Sequence, residues 1–266
     1  MLPVLAWIVA RTPIPVANVL ALLLARVWWY LLPFRRALAE RNVRRAFPGY
    51  SEREVRRTLL AMMHNIILFY MELFIFERGG EKLAFEGTEH IPPGSYLVAA
   101  HSGAWDIGLA TLASSTPLAS FVRTPRNAWV RDTMAAIRER HGLLSLETGT
   151  TLADGLAAMD AGRSLLFIQD QRFNAGILSP FFGVPCRTSP AFGVAWLKKP
   201  RPVWACWQVR LAPGKHRFWV EPFEMPVPTG DKKADVQAIT DALNAFYAER
   251  IRQYPSGWLW LHDRWK

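Results

Sequence analysis

His101 is the residue whose surroundings suggest chemistry. It follows the apolar run 95–100, SYLVAA, so it stands where a strand ends, and Asp106 lies five residues later behind Ser-Gly-Ala-Trp. Open α/β folds place their sites outside the carboxyl ends of strands. A strand–turn–helix can fold Asp106 back onto the imidazole, fixing its tautomer and leaving the other nitrogen as a base. The spacing alone selects nothing. With six histidines and 22 acids in 266 residues, about half a match is expected by chance, and His216 with Glu221 is a second one. That pair falls in a strand-like stretch, HRFWVE, where residues five apart face opposite ways. It is rejected, and His216 is read as a structural surface residue. His64, His90, His141 and His262 have no acid at this spacing and are read as structural.

Other chemistries lack their residues. Gly162-Arg-Ser164 continues as Leu-Leu and misses the last glycine of a serine nucleophile elbow. Neither a phosphate-binding glycine loop nor a dinucleotide fingerprint is present. No histidine pair has zinc spacing, and Cys186 and Cys206 form no CxxC. A base with an acid, but without a nucleophile or a metal, suits direct transfer onto a substrate hydroxyl.

The elements that must position these residues follow from the apolar pattern. Short apolar runs at 83–87, 95–100, 118–123, 143–147, 164–169, 202–208 and 216–221 read as strands. Helical stretches at 104–115, 127–140, 150–161, 189–198 and 234–253 separate most of them. The alternation predicts an α/β fold, a mostly parallel central sheet flanked by helices. Ser51 with Glu54 forms a capping box that opens a helix to about Glu77, before Gly79-Gly80. The Pro226–Gly230 loop is too short to be a linker between domains.

Composition points to a membrane surface. The chain carries +10, of which residues 1–60 hold ten arginines against three acids. Residues 14–34, IPVANVLALLLARVWWYLLPF, hold one charge, Arg26. As a helix they would reach about 30 Å, one bilayer core, although a central arginine equally suits a tilted or interfacial helix with Arg26 snorkelling. Arginines from 35 to 57 follow it, and the positive-inside rule puts them on the cytoplasmic side. Twelve tryptophans fit the same boundary. The expected organisation is an anchor helix in 1–34 and a catalytic domain in 35–266. The expected partner is an anionic membrane surface and not nucleic acid, whose binding would favour basic residues mixed with polar ones on a soluble fold.

AAHSGAWD resembles the HX4D/E motif of the lipid A late acyltransferases, within the wider lysophospholipid acyltransferase superfamily. The resemblance continues along the chain. Asn42 with Phe47-Pro48 is similar to the N-x4-FP stretch behind the family's membrane helix, and Phe85-Glu86-Gly87 precedes the motif as expected. The segment 121–127, FVRTPRN, resembles Y-R-x3-N, and 137–142, IRERHG, resembles R-x-R. Asp170-Gln171, the SPFFGVP of 179–185 and the WLWLHDRWK of 258–266 match the remaining motifs in order. The lipid A members mostly carry Glu where this chain has Asp106; Asp occurs in relatives acting on phosphatidylinositol mannosides and glycerol phosphate.

The resemblance implies acyl transfer. His101 would deprotonate the acceptor hydroxyl, with Asp106 orienting it. The alkoxide would attack the thioester of an acyl carrier protein or acyl-CoA. Arg138 or Arg140 would stabilise the oxyanion or an acceptor phosphate, with Arg123 nearby. Asp170 would orient that arginine or the acceptor sugar. Phe181 and Phe182 line an acyl groove or form a plain hydrophobic turn; Trp258, Trp260 and Trp265 are core or interface anchors. The implied acceptor is a glycolipid, a lipid A precursor, and no cofactor or metal is implied. Alternatives are a mannolipid or lysophospholipid acceptor, or a membrane lipid-binding module with a dead site.

Overall fold

A computed structural model describes residues 2–77, 84–86, 91–123 and 127–266. Four helices come first: α1 (Leu2–Val9), α2 (Ile14–Tyr30), α3 (Arg36–Ala46) and α4 (Glu52–Glu77). Then follow β1 (Ala84–Glu86), β2 (Tyr96–Ala99), α5 (Trp105–Ala113), β3 (Leu118–Phe121), α6 (Ala128–Arg140), β4 (Leu143–Leu146), α7 (Leu152–Asp160) and β5 (Ser164–Ile168). The chain closes with β6 (Ile177–Phe181), β7 (Val184–Thr188), α8 (Ala191–Lys198), β8 (Val203–Ala212), β9 (Lys215–Pro222) and α9 (Lys232–Gln253). The predicted helix end at Gly79-Gly80, His90, and positions 83 and 87 of the first predicted strand lie outside the described residues.

Seven strands form one sheet in the order β1-β9-β8-β2-β5-β3-β4, and all its pairings are parallel except β8 with β9. β2 is buried at every position and β5 at four of its five. Strands covered on both faces read as unbroken apolar runs, which is why SYLVAA and SLLFI stand out in the sequence. Tyr96, Val98, Leu165 and Phe167 pack with α7, α8 and α9 on one face. Leu97, Ala99 and Leu166 pack with Leu109, Leu112 and Ala113 of α5 on the other.

The β6–β7 hairpin was not among the predicted strands. Pro180 and Pro185 sit directly opposite each other in it. Proline cannot donate to a ladder and argues against a strand in sequence. Phe182 and Gly183, both at positive φ, make its two-residue turn.

The N-terminal region differs from a free-standing anchor. α2 has 17 residues, about 25 Å at 1.5 Å per residue, and its chain turns before Pro33. Ile14, Ala17, Ala21, Ala25 and Trp29 face inward. Ile14, Ala17 and Ala21 meet Leu68, Phe69 and Met71 of α4, while Ala25 and Trp29 meet Val55, Leu59 and Met62. The two helices therefore run antiparallel in contact. The opposite face of α2 exposes Val16, Val19, Leu20, Leu23, Leu24 and Val27. Among the described residues, α4 is the helix long and apolar enough to cross a membrane, and half of its most apolar window is buried inside the protein. Its start is the expected capping box, with the Ser51 amide donating to Glu54 Oε2 at 2.8 Å.

Candidate active site

His101 and Asp170 are 69 residues apart in sequence and adjacent in the sheet. β2 and β5 are parallel neighbours in which Ala99 pairs with Ile168. Two residues beyond that pair, in both strands, stand His101 and Asp170. The Asp170 Oδ1 lies 2.8 Å from His101 Nδ1, and Oδ2 accepts the His101 backbone N–H at 3.0 Å. The Trp258 indole N–H donates to the same Oδ2 at 2.8 Å. Among the described residues no group hydrogen-bonds the other imidazole nitrogen, Nε2, and the side chain keeps 22% of its surface. The edge of the ring meets Trp105, with centroids 5.3 Å apart.

Asp106 does not take the position expected of it. It lies in the first turn of α5, where an acid suits the positive end of the helix. From there it reaches Arg138 of α6 at 3.4 Å. No hydrogen bond joins it to His101 among the described residues. The parallel register supplies Asp170 to the imidazole instead, and a helix start directs Asp106 across to the next helix. Asp170 is likewise corrected. It is fully buried, and among the described residues its hydrogen bonds come from His101 and Trp258 and not from an arginine.

The arginines separate. Arg138 is mostly buried beside Asp106, whereas Arg140 is 60% exposed and pairs with Glu77 at 2.6 Å. Residues two apart on a helix point about 200° apart, so both cannot face one site. Arg123 is exposed just beyond the end of β3. Arg126 lies outside the described residues.

Burial opposes charge on His101, but the Asp170 carboxylate and its hydrogen bond, helped by the charge of Asp106, raise the imidazole above its ordinary value. Burial would raise Asp170; the charge and hydrogen bond of His101, the Trp258 indole and the His101 amide hold it below the usual carboxylate range. Carboxylate and imidazole therefore favour each other's charged forms. Burial pushes His262 down to about 4, and its neutral Nε2 accepts the Arg172 amide at 2.8 Å.

The loop after His101 needs Gly103. Its φ is +57°, and a Cβ there would meet the Gln208 carbonyl oxygen at 2.9 Å. The Gly103 N–H donates to Gly257 O at 2.9 Å and the Ser102 N–H to Ala100 O at 2.8 Å. These two amides are spent, so they offer nothing to a developing oxyanion; among the described residues Arg138 pairs with the motif's Asp106.

The C-terminal segment completes the site. Ser102 and Trp258 form an antiparallel bridge. Trp258 and Trp260 are core residues, at 1% and 0% exposure. Arg264, fully buried, donates to Arg187 O at 2.8 Å, Thr188 Oγ1 at 2.7 Å and Asn244 Oδ1 at 3.0 Å. Asn42 on α3 donates to the carbonyls of Trp260 and His262 at 2.9 and 2.7 Å. Trp258 is the site residue whose contact with Asp170 sequence reasoning did not find; only its place in a terminal motif marked it. Phe181 is fully buried against Trp258 and Trp265 and lines no groove. A cleft of about 240 Å³ at the end of β5 is lined by Phe121, Leu166, Phe167, Ile168, Gln171 and Arg172 among others.

His216 is also corrected. It is fully buried, not a surface residue, and its Nε2 lies 3.2 Å from Glu72 Oε2 on α4. Glu221, on the other face of β9 as expected, pairs with Arg250.

The family model for bacterial lipid A biosynthesis acyltransferases matches residues 2–266. None of the curated proteins compared matches the chain.

Proposed function

The chain belongs to the bacterial lipid A biosynthesis acyltransferase family, and from that premise we propose that it moves a fatty acyl chain from a carrier thioester to a hydroxyl of a lipid A precursor, with His101 as the general base. The observation that carries this reading is the Trp258–Asp170–His101 chain of hydrogen bonds, with Nε2 left open to a substrate.

His101 Nε2 takes the proton of the acceptor hydroxyl, and Asp170 stabilises the imidazolium that forms. The oxygen attacks the thioester carbonyl. Negative charge develops on the carbonyl oxygen, where Arg138, held by Asp106, supplies positive charge through a planar fork. The tetrahedral species collapses, the C–S bond breaks, and the departing thiolate takes the proton back from His101. The products are an ester and a free thiol, and no covalent enzyme intermediate arises. The donor is an acyl carrier protein or acyl-CoA. The cleft at the end of β5, lined by Phe121, Leu166, Phe167 and Ile168, supports a place for the acyl chain. Arg123 is exposed two residues beyond Phe121, which lines that cleft, and suits an acceptor phosphate.

The exposed apolar face of α2 and the arginines behind it support residence on the anionic inner membrane, with the catalytic region facing the cytoplasm. An intact base–acid pair in an accessible position argues against a dead lipid-binding module. The test is transfer of labelled acyl chain from a carrier thioester, with lipid A precursor and phosphatidylinositol mannoside offered as competing acceptors. Labelled lipid A is the expected product. Preferential labelling of the mannolipid would overturn the acceptor, and free fatty acid without ester would overturn acyl transfer.

A further inference from the structure

Where α2 ends, Trp29, Arg36, Glu40, Glu52, Arg53 and Arg56 surround a cleft of about 350 Å³. Trp29 is 3% exposed and forms its floor. The Arg36 guanidinium lies 4.1 Å over the indole ring and is engaged by Glu40 at 2.9 Å. Glu52 is engaged by Arg44. Both acids of the cleft are thus neutralised locally. Arg53 and Arg56 are exposed and have no acidic partner within salt-bridge distance among the described residues. A surface pair of uncommitted guanidiniums beside an aromatic floor suits a phosphate, since each fork can hold two oxygens.

The neighbourhood decides what carries the phosphate. The cleft adjoins the chain turn after α2, where Tyr30, Leu31, Leu32 and Phe34 are exposed by 60 to 71%. These continue the exposed apolar face of α2. An apolar surface of this extent on one side of a basic cleft fits hydrocarbon below and headgroups above. An acidic protein would satisfy the arginines and leave the apolar turn in water.

We infer that the cleft of Trp29, Arg36, Arg53 and Arg56 binds the phosphate headgroup of an anionic bilayer lipid, seating the protein at a fixed depth. This goes beyond acyl transfer and does not depend on it, because among the described residues none of these bonds to His101, Asp170 or Asp106. The lipid's chains lie along α2 while its phosphate bridges Arg53 and Arg56, and Trp29 with the stacked Arg36 closes the inner wall.

The test uses the full chain and vesicles at constant ionic strength. Sedimentation compares neutral phosphatidylcholine vesicles with vesicles containing phosphatidylglycerol. The wild type should favour the anionic vesicles. The double variant R53Q/R56Q should lose about 10- to 30-fold in partition onto anionic vesicles and bind neutral ones as before. The control K232Q/K233Q, which removes the same charge from the exposed start of α9, should keep the preference. Excess inorganic phosphate should compete poorly, because a headgroup arrives tethered to buried chains. An equal loss in the control would overturn the site in favour of diffuse charge. Equal loss on neutral vesicles, or full displacement by free phosphate, would overturn the lipid. So would a raised KM for a carrier-protein donor in detergent with vesicle binding unchanged, which would make the cleft a protein contact. Acyl transfer in detergent is measured in parallel, and its failure in the wild type would count against the enzymatic reading alone.

Discussion

At the scale of the residue, His101 needs one partner to hold it and a second group to meet the charge that develops on substrate. The structure places Asp170 on His101 and pairs Arg138 with Asp106, and the proposed mechanism gives these tasks to Asp170 and Arg138. His101→Ala should reduce transfer by roughly 10²- to 10⁴-fold, the contribution of a positioned base. Asp170→Asn should reduce it comparably and also move the pH profile. Transfer needs neutral imidazole, so the rate falls as pH drops through the pKa of His101, which Asp170 holds above about 6.5. Without that carboxylate, burial dominates and the acidic limb of kcat shifts to lower pH. Asp106→Asn should shift the limb less, because its charge acts without a hydrogen bond. An unchanged limb in Asp170→Asn would remove Asp170 from the mechanism. Arg138→Ala should cost roughly 10²-fold or more in kcat at saturating substrates, while Arg140→Ala, which loses only an exposed pair with Glu77, should cost little. The position of His101 at a strand end was legible in sequence because its strand is an unbroken apolar run. Its partner was not, since pairing β2 with β5 is a choice of the sheet.

At the scale of the element, α4 is joined to the β8–β9 hairpin by buried charge. Glu72 on α4 is fully buried, pairs with Arg210 and His216, and accepts the Gly214 N–H at 2.9 Å. Burial alone would raise Glu72, but the hydrogen bond from His216 and the charge of Arg210 bring it down to about 2. A depressed carboxyl stabilises above its unfolded pKa, and the contribution is lost as pH falls from about 4 toward 2. Glu72→Gln should therefore lower the urea midpoint at pH 7 and flatten the acid limb of stability. Leaving Arg210 buried without its partner costs about 3–5 kcal/mol. A variant as stable as the wild type would show the cluster to be unimportant. The α2–α4 seam tests differently. Ala21 is fully buried against α4, so Ala21→Leu overpacks the contact and should cost about 1–3 kcal/mol, read as a lowered Tm of the whole protein. No change in Tm would mean that α2 is separable from the domain behind it.

At the scale of the whole molecule, the first and last segments of the chain close on each other. Asn42 holds the carbonyls of Trp260 and His262, Arg41 pairs with Asp263 at 3.4 Å, and Trp258 reaches the Asp170 carboxylate that holds His101. Removing residues 1–34 would uncover the face of α4 that carries Leu59, Met62, Leu68 and Phe69, all buried at 0 to 1% exposure. The truncated chain should aggregate without detergent and remain partly membrane-bound at low salt, since Arg53, Arg56 and Arg57 persist. Size-exclusion chromatography of the truncated protein checks this, and a soluble monomer would support a division at residue 34. Sequence by itself determined what depends on local pattern: the buried strands, the capped helix at Ser51, the position of His101 at a strand end and the basic, apolar N-terminus. These rest on side-chain periodicity and nearest neighbours, which a string of residues contains. Only the tertiary structure decided which acid meets His101, which arginine meets Asp106, that His216 is buried on Glu72, and that α2 lies against α4. Each of these brings together residues from about thirty to more than a hundred positions apart, through strand order, register and helix packing, and no spacing rule along the chain encodes those contacts.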